Sequence, residues 1–579
     1  MRALPAFLLA LALVSTSAEP GAQPQVQTVP GGPGQQSPSP PGQGAQTRPP
    51  RDPGQKPSPA AGTGVIRGRV VSADNGQPIR RARVAAFMVE SRTEIRENRG
   101  TLTDEQGQFE LKELTAGRYT LTAMKTGFVA LSYGQRRPVE TPRPLVMADG
   151  QLLEKIDFHL PRGGVVTGRV LDEFGEPISE VMVQVLRFRY LGGQRRLLNA
   201  GRSNQTDDLG QFRLYGLPPG EYYVSAGLIP GMSLNITGIS VGYATTYYPG
   251  TPSLSEAQRI TIGVGQETSN IVFSLSPART ARITGRVLSS DGNPAAGVFL
   301  SVRQESPDGM MFGGGGARTR PDGTFELSGI TPGDYSIDVQ PRFGNEPEMA
   351  SAMVTVSGQD ISGLTLVMSK GGAVRGQIVF EDGKAPQSLR PSAVQLFAST
   401  TSFGPQNLPG RGSVKDDWSF EITGLNGQRL IRALLPPGWN LKSVIYDGSD
   451  VTDRPIDFGT NGEFAGIQIV LTQRQTDLSG TVVDLRGNLL KDYVVVVFAE
   501  DSAHWVPQTR FIRTSRPDQD GRFSIRGLPP ERYLAVAVEY LEPGEESNPD
   551  TLEQLKPMAT GLLLTEGEAR VAELKLSAF

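Results

Sequence analysis

Acidic side chains that could act in pairs recur in one turn of this chain of 579 residues. The pairs are Asp207 with Asp208, Asp416 with Asp417, and Asp518 with Asp520. Two carboxylates can supply the acid and the base or nucleophile of glycoside hydrolysis, and clustered carboxylate oxygens can bind Ca²⁺. Asp also stabilises tight turns by accepting backbone N–H bonds. Because all three pairs occupy equivalent positions of a repeated turn, we predict the turn role, with a Ca²⁺ site and an acid–base pair as alternatives.

The small number of histidines and the lack of cysteine argue against a zinc site and against a catalytic nucleophile. The chain has two histidines, His159 and His504, and no Cys. A zinc site normally takes three or four ligands from His, Cys and carboxylate, and a Ser or Cys nucleophile needs a nearby imidazole. Because the histidines lie far apart in the sequence, we predict no catalytic residues, no metal site and no cofactor. We expect His159 on the outward face of a strand and His504 in a loop or at a rim.

Aromatic side chains are concentrated in the segment VGYATTYYPGT, which supplies Tyr243, Tyr247 and Tyr248. Carbohydrate sites present aromatic faces to the apolar face of a sugar while polar groups meet the hydroxyls. These three tyrosines are therefore the predicted ligand-binding residues. The alternative is that the segment packs its aromatic rings against its own domain.

Two further features argue against nucleotide and nucleic-acid binding. The glycine cluster GMMFGGGGARTR, from Gly309, lacks the Lys-Ser/Thr of a phosphate-binding loop. We predict a mobile hairpin tip there. The formal net charge is -3, so the chain has no basic surplus to offset a phosphate backbone.

A repeated sequence segment, called the phrase below, predicts the strands and turns that position these residues. GQFRLYGLPPGEYYV, from Gly210, recurs as GQFELKELTAGRYTL, GTFELSGITPGDYSI and GRFSIRGLPPERYLA. In each copy Phe and Tyr are ten residues apart: Phe109 and Tyr119, Phe212 and Tyr222, Phe325 and Tyr335, Phe523 and Tyr533. A diverged fourth copy places Leu430 ten residues after Phe420. The phrase reads as turn, strand, turn and strand, and its Tyr is typical of a corner tyrosine whose hydroxyl bonds to nearby backbone.

Each phrase has an earlier companion strand that contains a glycine. The companions are IRGRVV, VTGRVL, ITGRVL, VRGQIV and LSGTVV, whose glycines are 100, 117, 91 and 104 residues apart. Spacings of this size indicate whole domains, which we place at residues 63–162, 163–279, 280–370, 371–474 and 475–579. Alternating apolar residues predict about seven short strands in each domain. The fold class is all-β, a tandem array of about five Greek-key β-sandwiches arranged as a rod or string, with short helical decorations at LSEAQR and DTLEQL.

The N-terminal sequence is typical of an exported protein. Residues 1–18 combine Arg2, an apolar run and small residues, which predicts a signal peptide cleaved after Ala18. Residues 19–62 are rich in Pro, Gly and Gln and predict a disordered linker. No later stretch is apolar for long enough to span a bilayer. We expect a periplasmic, cell-surface or extracellular protein with no membrane span in the mature chain.

The order G-R-V, then D-x-x-G-x-F about 40 residues later, then L-x-P-G-x-Y resembles the carboxypeptidase regulatory-like domain. That family has a transthyretin-like or prealbumin-like sandwich grouped with carbohydrate-binding-like folds, and the resemblance covers residues 64–579. In the enzymes that give the domain its name, catalysis lies in a separate zinc domain. The resemblance implies a non-catalytic binding protein with polysaccharide as its ligand. The alternative is a structural or adhesive scaffold that contacts envelope proteins through exposed edge strands.

Overall fold

The computed structural model describes residues 62–89, 98–191, 193–228, 234–236, 239–305, 311–339, 348–386, 389–400 and 410–579. The predicted signal peptide and nearly all of the predicted linker lie outside these residues. Every element described below belongs to the compact unit Ala61–Phe579. The strands up to Val367 form separate sheets, whereas the later strands form one continuous nine-stranded sheet and one continuous seven-stranded sheet. Five clusters of buried apolar side chains lie within these sheets, which confirms the all-β sandwich fold.

The first two sandwiches account for the strands up to residue 278. Sandwich 1 contains β1 (Gly64–Ser72), β2 (Arg83–Met88), β3 (Asn98–Leu102), β4 (Gln108–Leu114), β5 (Gly117–Met124), β6 (Leu131–Ser132), β7 (Leu145–Met147), β8 (Leu152–Leu153) and β9 (Phe158–Leu160). Sandwich 2 contains β10 (Gly164–Leu171), β11 (Met182–Leu191), β12 (Gln194–Asn199), β13 (Asn204–Gln205), β14 (Gln211–Leu217), β15 (Gly220–Gly227), β16 (Leu234–Ile236), β17 (Ile239–Tyr243), β18 (Thr246–Tyr247), β19 (Ile260–Ile262), β20 (Glu267–Ser274) and β21 (Pro277–Ala278).

The other three sandwiches follow the same order. Sandwich 3 contains β22 (Ala281–Leu288), β23 (Phe299–Glu305), β24 (Met311–Arg318), β25 (Thr324–Ile330), β26 (Gly333–Val339), β27 (Ala350–Val356) and β28 (Ile361–Val367). Sandwich 4 contains β29 (Gly372–Phe380), β30 (Gln395–Thr400), β31 (Gly410–Val414), β32 (Ser419–Leu425), β33 (Gln428–Leu434), β34 (Asn440–Tyr446), β35 (Ser449–Asp450), β36 (Ile456–Asp457) and β37 (Glu463–Thr472). Sandwich 5 contains β38 (Asp477–Val483), β39 (Val494–Ala499), β40 (Ile512–Ser515), β41 (Arg522–Arg526), β42 (Glu531–Val538), α1 (Pro549–Leu555), β43 (Thr560–Leu564) and β44 (Ala569–Ser577).

The strand order explains why two separated phrases recur together. In sandwich 2 the companion strand β10 pairs antiparallel with β14, the first strand of the phrase, and parallel with β20, the closing strand. The second sheet has the order β12, β11, β15, β18. Sandwiches 3 and 5 repeat the central triplet. Companion and phrase are therefore hydrogen-bonded neighbours.

Close packing of strands accounts for the companion glycine. A Cβ atom built on Gly168 would lie 1.9 Å from the carbonyl oxygen of Ile271 and 2.7 Å from Cζ of Phe212. Real Cβ atoms do not approach so closely, so any larger residue would push the strands apart. The glycines in the equivalent position of the other sandwiches are Gly68, Gly285, Gly376 and Gly480.

The phrase tyrosine closes the corner, as predicted. Tyr222 is 1% exposed, and its hydroxyl donates to the carbonyl oxygen of Pro218 at 2.6 Å. Tyr119 and Tyr533 donate to the carbonyl four residues earlier, each at 2.8 Å. The hydroxyl of Tyr335 lies 2.8 Å from that of Thr331, also four residues earlier.

Sandwich 4 replaces this tyrosine by Arg429. The turn after β32 is one residue shorter than in sandwich 2, so the equivalent position is nine residues after Phe420, and the predicted alignment with Leu430 is wrong by one residue. Arg429 is 1% exposed and pairs with Ile456 across the sheet, as Tyr222 pairs with its own partner strand. Its Nε donates to the carbonyl oxygen of Asn426 at 2.9 Å. A guanidinium thus bonds where the phenol hydroxyl does elsewhere.

The two predicted helical segments are confirmed as short decorations. LSEAQR contains a 3-10 turn at Leu254–Glu256, and DTLEQL lies in α1. Leu552 and Leu555 of α1 are fully buried against the outer face of β39 and β42. Both faces of this sheet are therefore covered.

Part of the glycine cluster lies in a strand. The four consecutive glycines from Gly313 to Gly316 lie in strand β24, which pairs antiparallel with β23. The connection between these two strands, where Gly309 of the cluster falls, lies outside the described residues, so a hairpin tip there stays a prediction. Residues 306–310 lie outside the described residues.

Helices in the described ranges are all too short or too polar to cross a bilayer.

Candidate functional site

One carboxylate of each candidate pair has the turn role predicted for it. Asp207 Oδ1 accepts from the backbone N–H of Leu209 at 3.0 Å and of Gln211 at 2.7 Å. Asp518 accepts two backbone bonds in the equivalent turn, and Asp417 accepts from the N–H of Ser419. Among the residues that the structure describes, no three His, Asp or Glu side chains are grouped to hold a metal ion.

The predicted ligand-binding tyrosines pack largely into sandwich 2. Tyr243 is 4% exposed and donates its hydroxyl to Glu173 Oε2 at 2.7 Å, while burial raises the pKa of its phenol. Tyr247 is 5% exposed in a small apolar cluster. Tyr248 is half-buried, edge-on to Phe273 with 6.1 Å between ring centroids. This placement agrees with the packing alternative, since the three rings do not form an open platform. Carbohydrate binding by these residues stays a prediction.

Sandwich 5 contacts sandwich 1 through a buried arginine. Arg516 is 3% exposed, and its Nη1 lies 3.1 Å from Glu140 Oε1 and donates to the carbonyl oxygen of Thr141 at 3.1 Å. Glu140 is 5% exposed. Nearby, the amide side chain of Gln519 pairs with both backbone groups of Val146, at 3.1 and 3.0 Å. The predicted rod or string is wrong here, because the first and last sandwiches touch directly.

Sandwich 5 also contacts sandwiches 2 and 4. Arg187 Nη2 of sandwich 2 lies 3.7 Å from Glu542 Oε1. Arg510 donates two hydrogen bonds to the carboxylate of Asp453 in sandwich 4, from Nη2 at 2.7 Å and from Nε at 3.0 Å. It also donates to the carbonyl oxygen of Leu441 at 2.9 Å. Such a bidentate pair fixes orientation as well as distance. These partners are far apart in sequence, so no local pattern could have revealed them.

A cleft of about 460 Å³ lies between sandwiches 4 and 5. His504, predicted at a loop or rim, lines it from the 3-10 turn Ser502–His504. Its ring stacks on Phe511 with 4.0 Å between centroids and 21° between planes. Sequence analysis missed this site because its walls come from two domains. His159, in contrast, is exposed on β9, as predicted.

Several charged side chains at the cleft form ion pairs with one another. Arg432 and Arg510 share Asp453, and burial lowers the pKa of the Arg432 guanidinium while Asp453 opposes this effect. Lys442 of sandwich 4 bonds to Glu381 and reaches Glu566 of sandwich 5 at 2.7 Å. These carboxylates raise the pKa of Lys442. Two sets of ion pairs therefore join sandwich 4 to sandwich 5 at the cleft.

Sandwich 1 is similar to a known domain family. Residues 65–151 match the profile of the carboxypeptidase regulatory-like domain. Sandwich 1 is similar to that domain. The resemblance expected from the G-R-V and L-x-P-G-x-Y patterns is confirmed in this sandwich. The order of its central strands, β4, β1 and β8, recurs in sandwich 2 as β14, β10 and β20. A search of curated proteins found no match.

Solved structures with similar strands include three pilin proteins. A streptococcal ancillary pilin is 12% identical, with 52% of this chain and 98% of that chain covered and a TM-score of 0.18. GBS52, the minor pilin of Streptococcus agalactiae, is 14% identical, with 37% and 95% covered and a TM-score of 0.21. BcpA, the major pilin subunit of Bacillus cereus, is 12% identical, with 53% and 99% covered and a TM-score of 0.14. Likeness at this level does not bear on function.

Proposed function

We propose that this chain is a non-catalytic, exported scaffold that holds binding surfaces in fixed relative positions at the cell envelope. The observation that supports this most directly is the buried contact between Arg516 and Glu140. Independent modules on flexible connections need no such contact, and a buried charge pair is costly to separate. Sandwich 5 thereby limits the motion of sandwich 1 as well as that of its neighbour in sequence.

The carboxylate turns support a non-catalytic role. One acidic residue of each candidate acid–base pair, Asp207, Asp417 or Asp518, accepts backbone hydrogen bonds in its own turn. Envelope proteins are the partners expected of a scaffold, and polysaccharide is the ligand class that the carbohydrate-binding-like fold favours by analogy. Binding by Tyr243 and Tyr247 would require the segment that carries them to move outward.

The test uses the purified chain from Glu19 to Phe579, immobilised and exposed to a polysaccharide panel and to solubilised envelope proteins. We expect saturable retention of a partner with no release of reducing ends or peptide fragments. Hydrogen exchange on the same sample should show slow exchange of the Val146 amide, which crosses from sandwich 1 to sandwich 5. Cleavage of any retained polymer, or rapid exchange of that amide, would overturn the proposal.

A further inference from the structure

Several polar groups in the cleft between sandwiches 4 and 5 are available to a ligand. The side chains of Asn440, Ser443 and Arg454 line the cleft and bond to none of the described residues. Arg474 reaches only Glu381, at 3.7 Å. The cleft therefore offers an amide, a hydroxyl and two guanidinium groups that the protein itself does not use fully.

The charges in the cleft favour an anionic ligand. Each acidic side chain that lines it already has a partner: Asp450 bonds to Thr452, Asp453 to Arg510, and Glu566 to Lys442. Arg454 is exposed without a carboxylate partner, and Arg474 has only its long contact. Guanidinium groups bind carboxylates through paired hydrogen bonds. A carboxylate on the ligand would meet these two arginines.

The remaining walls favour a sugar over a peptide. His504 lies over Phe511 with one ring face directed away from the stack, and Pro529 and Pro530 add apolar surface. Flat and apolar surfaces of this kind pack against the C–H face of a pyranose ring. An extended peptide, in contrast, binds by pairing with an open strand edge. The Leu441 carbonyl in this wall already accepts from Arg510, so it is not open to such pairing.

We propose that this cleft binds a carboxylated glycan, an oligosaccharide that contains uronic acid residues. Its carboxylate binds Arg454 and Arg474, its hydroxyls bind Asn440 and Ser443, and one ring packs on His504. The cleft volume of about 460 Å³ lies in the range of small-ligand sites. This assignment rests on the proposed binding function and gives it a ligand class and a location away from the predicted tyrosines.

The test is calorimetric titration of the full chain with a galacturonate trimer. Substituting Arg454→Ala together with Arg474→Ala should raise the Kd about tenfold, the effect of losing a charge-assisted hydrogen bond. Both side chains are exposed, so folding should be retained. The matched control replaces Arg80 and Arg202, exposed arginines of sandwiches 1 and 2, by Ala and should leave the Kd unchanged.

Two other probes separate the alternatives. Maltotriose, a neutral trimer, should bind more weakly than the galacturonate trimer, and its Kd should not depend on the two arginines. Tight binding of triglutamate through the same arginines, with weak binding of the sugar, would overturn the glycan assignment in favour of a peptide. Absence of trimer binding, or an unchanged Kd in the double variant, would also overturn it. Slow exchange of the Val146 amide in that sample would show that the scaffold proposal survives this failure.

Discussion

Replacing Arg516 by Met should open the contact between sandwiches 1 and 5 while leaving both sandwiches folded. The side chain is almost completely buried, and its guanidinium bonds to Glu140, Asp492 and the carbonyl oxygen of Thr141. Met fills similar space but supplies no charge. Glu140, 5% exposed, would then be a buried carboxylate without its cation.

The free-energy cost of this substitution depends on the hydrogen bonds that Glu140 keeps. Removing one partner of a buried ion pair costs about 3–5 kcal/mol. Glu140 Oε2 still accepts from the backbone N–H of Arg136 at 2.8 Å and of Arg137 at 3.3 Å, so the cost should lie at the lower end. About 3 kcal/mol raises the population of the open contact roughly 150-fold.

Hydrogen exchange measures this opening directly, because the Val146 amide donates to Gln519 Oε1 across the contact. Its exchange should accelerate strongly in Arg516→Met, and adding Glu140→Gln should restore much of the protection by removing the stranded charge. Arg136→Ala is the control, since this 70% exposed side chain should contribute less than about 1 kcal/mol. Unchanged exchange of Val146 in Arg516→Met, or no recovery in the double variant, would refute the reasoning.

Three predictions concern the repeated fold. Gly168→Ala should destabilise sandwich 2 by about 3 kcal/mol in urea unfolding, because its Cβ meets the Ile271 carbonyl, whereas Gly227→Ala, with 3.5 Å of space, should not. Tyr222→Phe should lower stability by about 1 kcal/mol, measured as a lower Tm; an unchanged Tm would contradict the corner bond. Burial raises the pKa of the Tyr533 phenol above its ordinary value of about 10. The free energy of unfolding should therefore be highest below about pH 10 and fall as the pH rises above it, since the unfolded chain loses the phenol proton first. Tyr533→Phe should make the free energy of unfolding less dependent on pH in this alkaline range.

Much of each sandwich was predictable because the determining contacts repeat in the sequence. Three contacts require a particular residue type at a fixed spacing. A glycine must lie under a neighbouring carbonyl, an Asp must accept hydrogen bonds from turn amides, and a Tyr must bond to the backbone four residues earlier. Arg429 was missed because the prediction relied on this fixed spacing. A turn shortened by one residue moved the corner position away from the expected spacing, and a different side chain makes the bond.

The candidate site was less predictable because its chemistry depends on packing between distant segments. Tyr243, Tyr247 and Tyr248 form an aromatic cluster in sequence, yet the first two are buried in their own sandwich. His504 looks isolated in sequence, yet it lines a cleft with residues of the preceding sandwich. Local composition identifies side chains that could bind a sugar, and only burial decides which of them a ligand can reach.

The sequence by itself determined the repeated all-β sandwiches, their turns and their corner residues, since these depend on alternation, close approach and hydrogen bonds over short stretches of chain. The tertiary structure alone decided that sandwich 5 contacts sandwiches 1, 2 and 4, and that a charged cleft separates sandwiches 4 and 5. Residues such as Arg516 and Glu140 are brought together over hundreds of positions by the way whole domains pack, and no periodicity along the chain records such a contact.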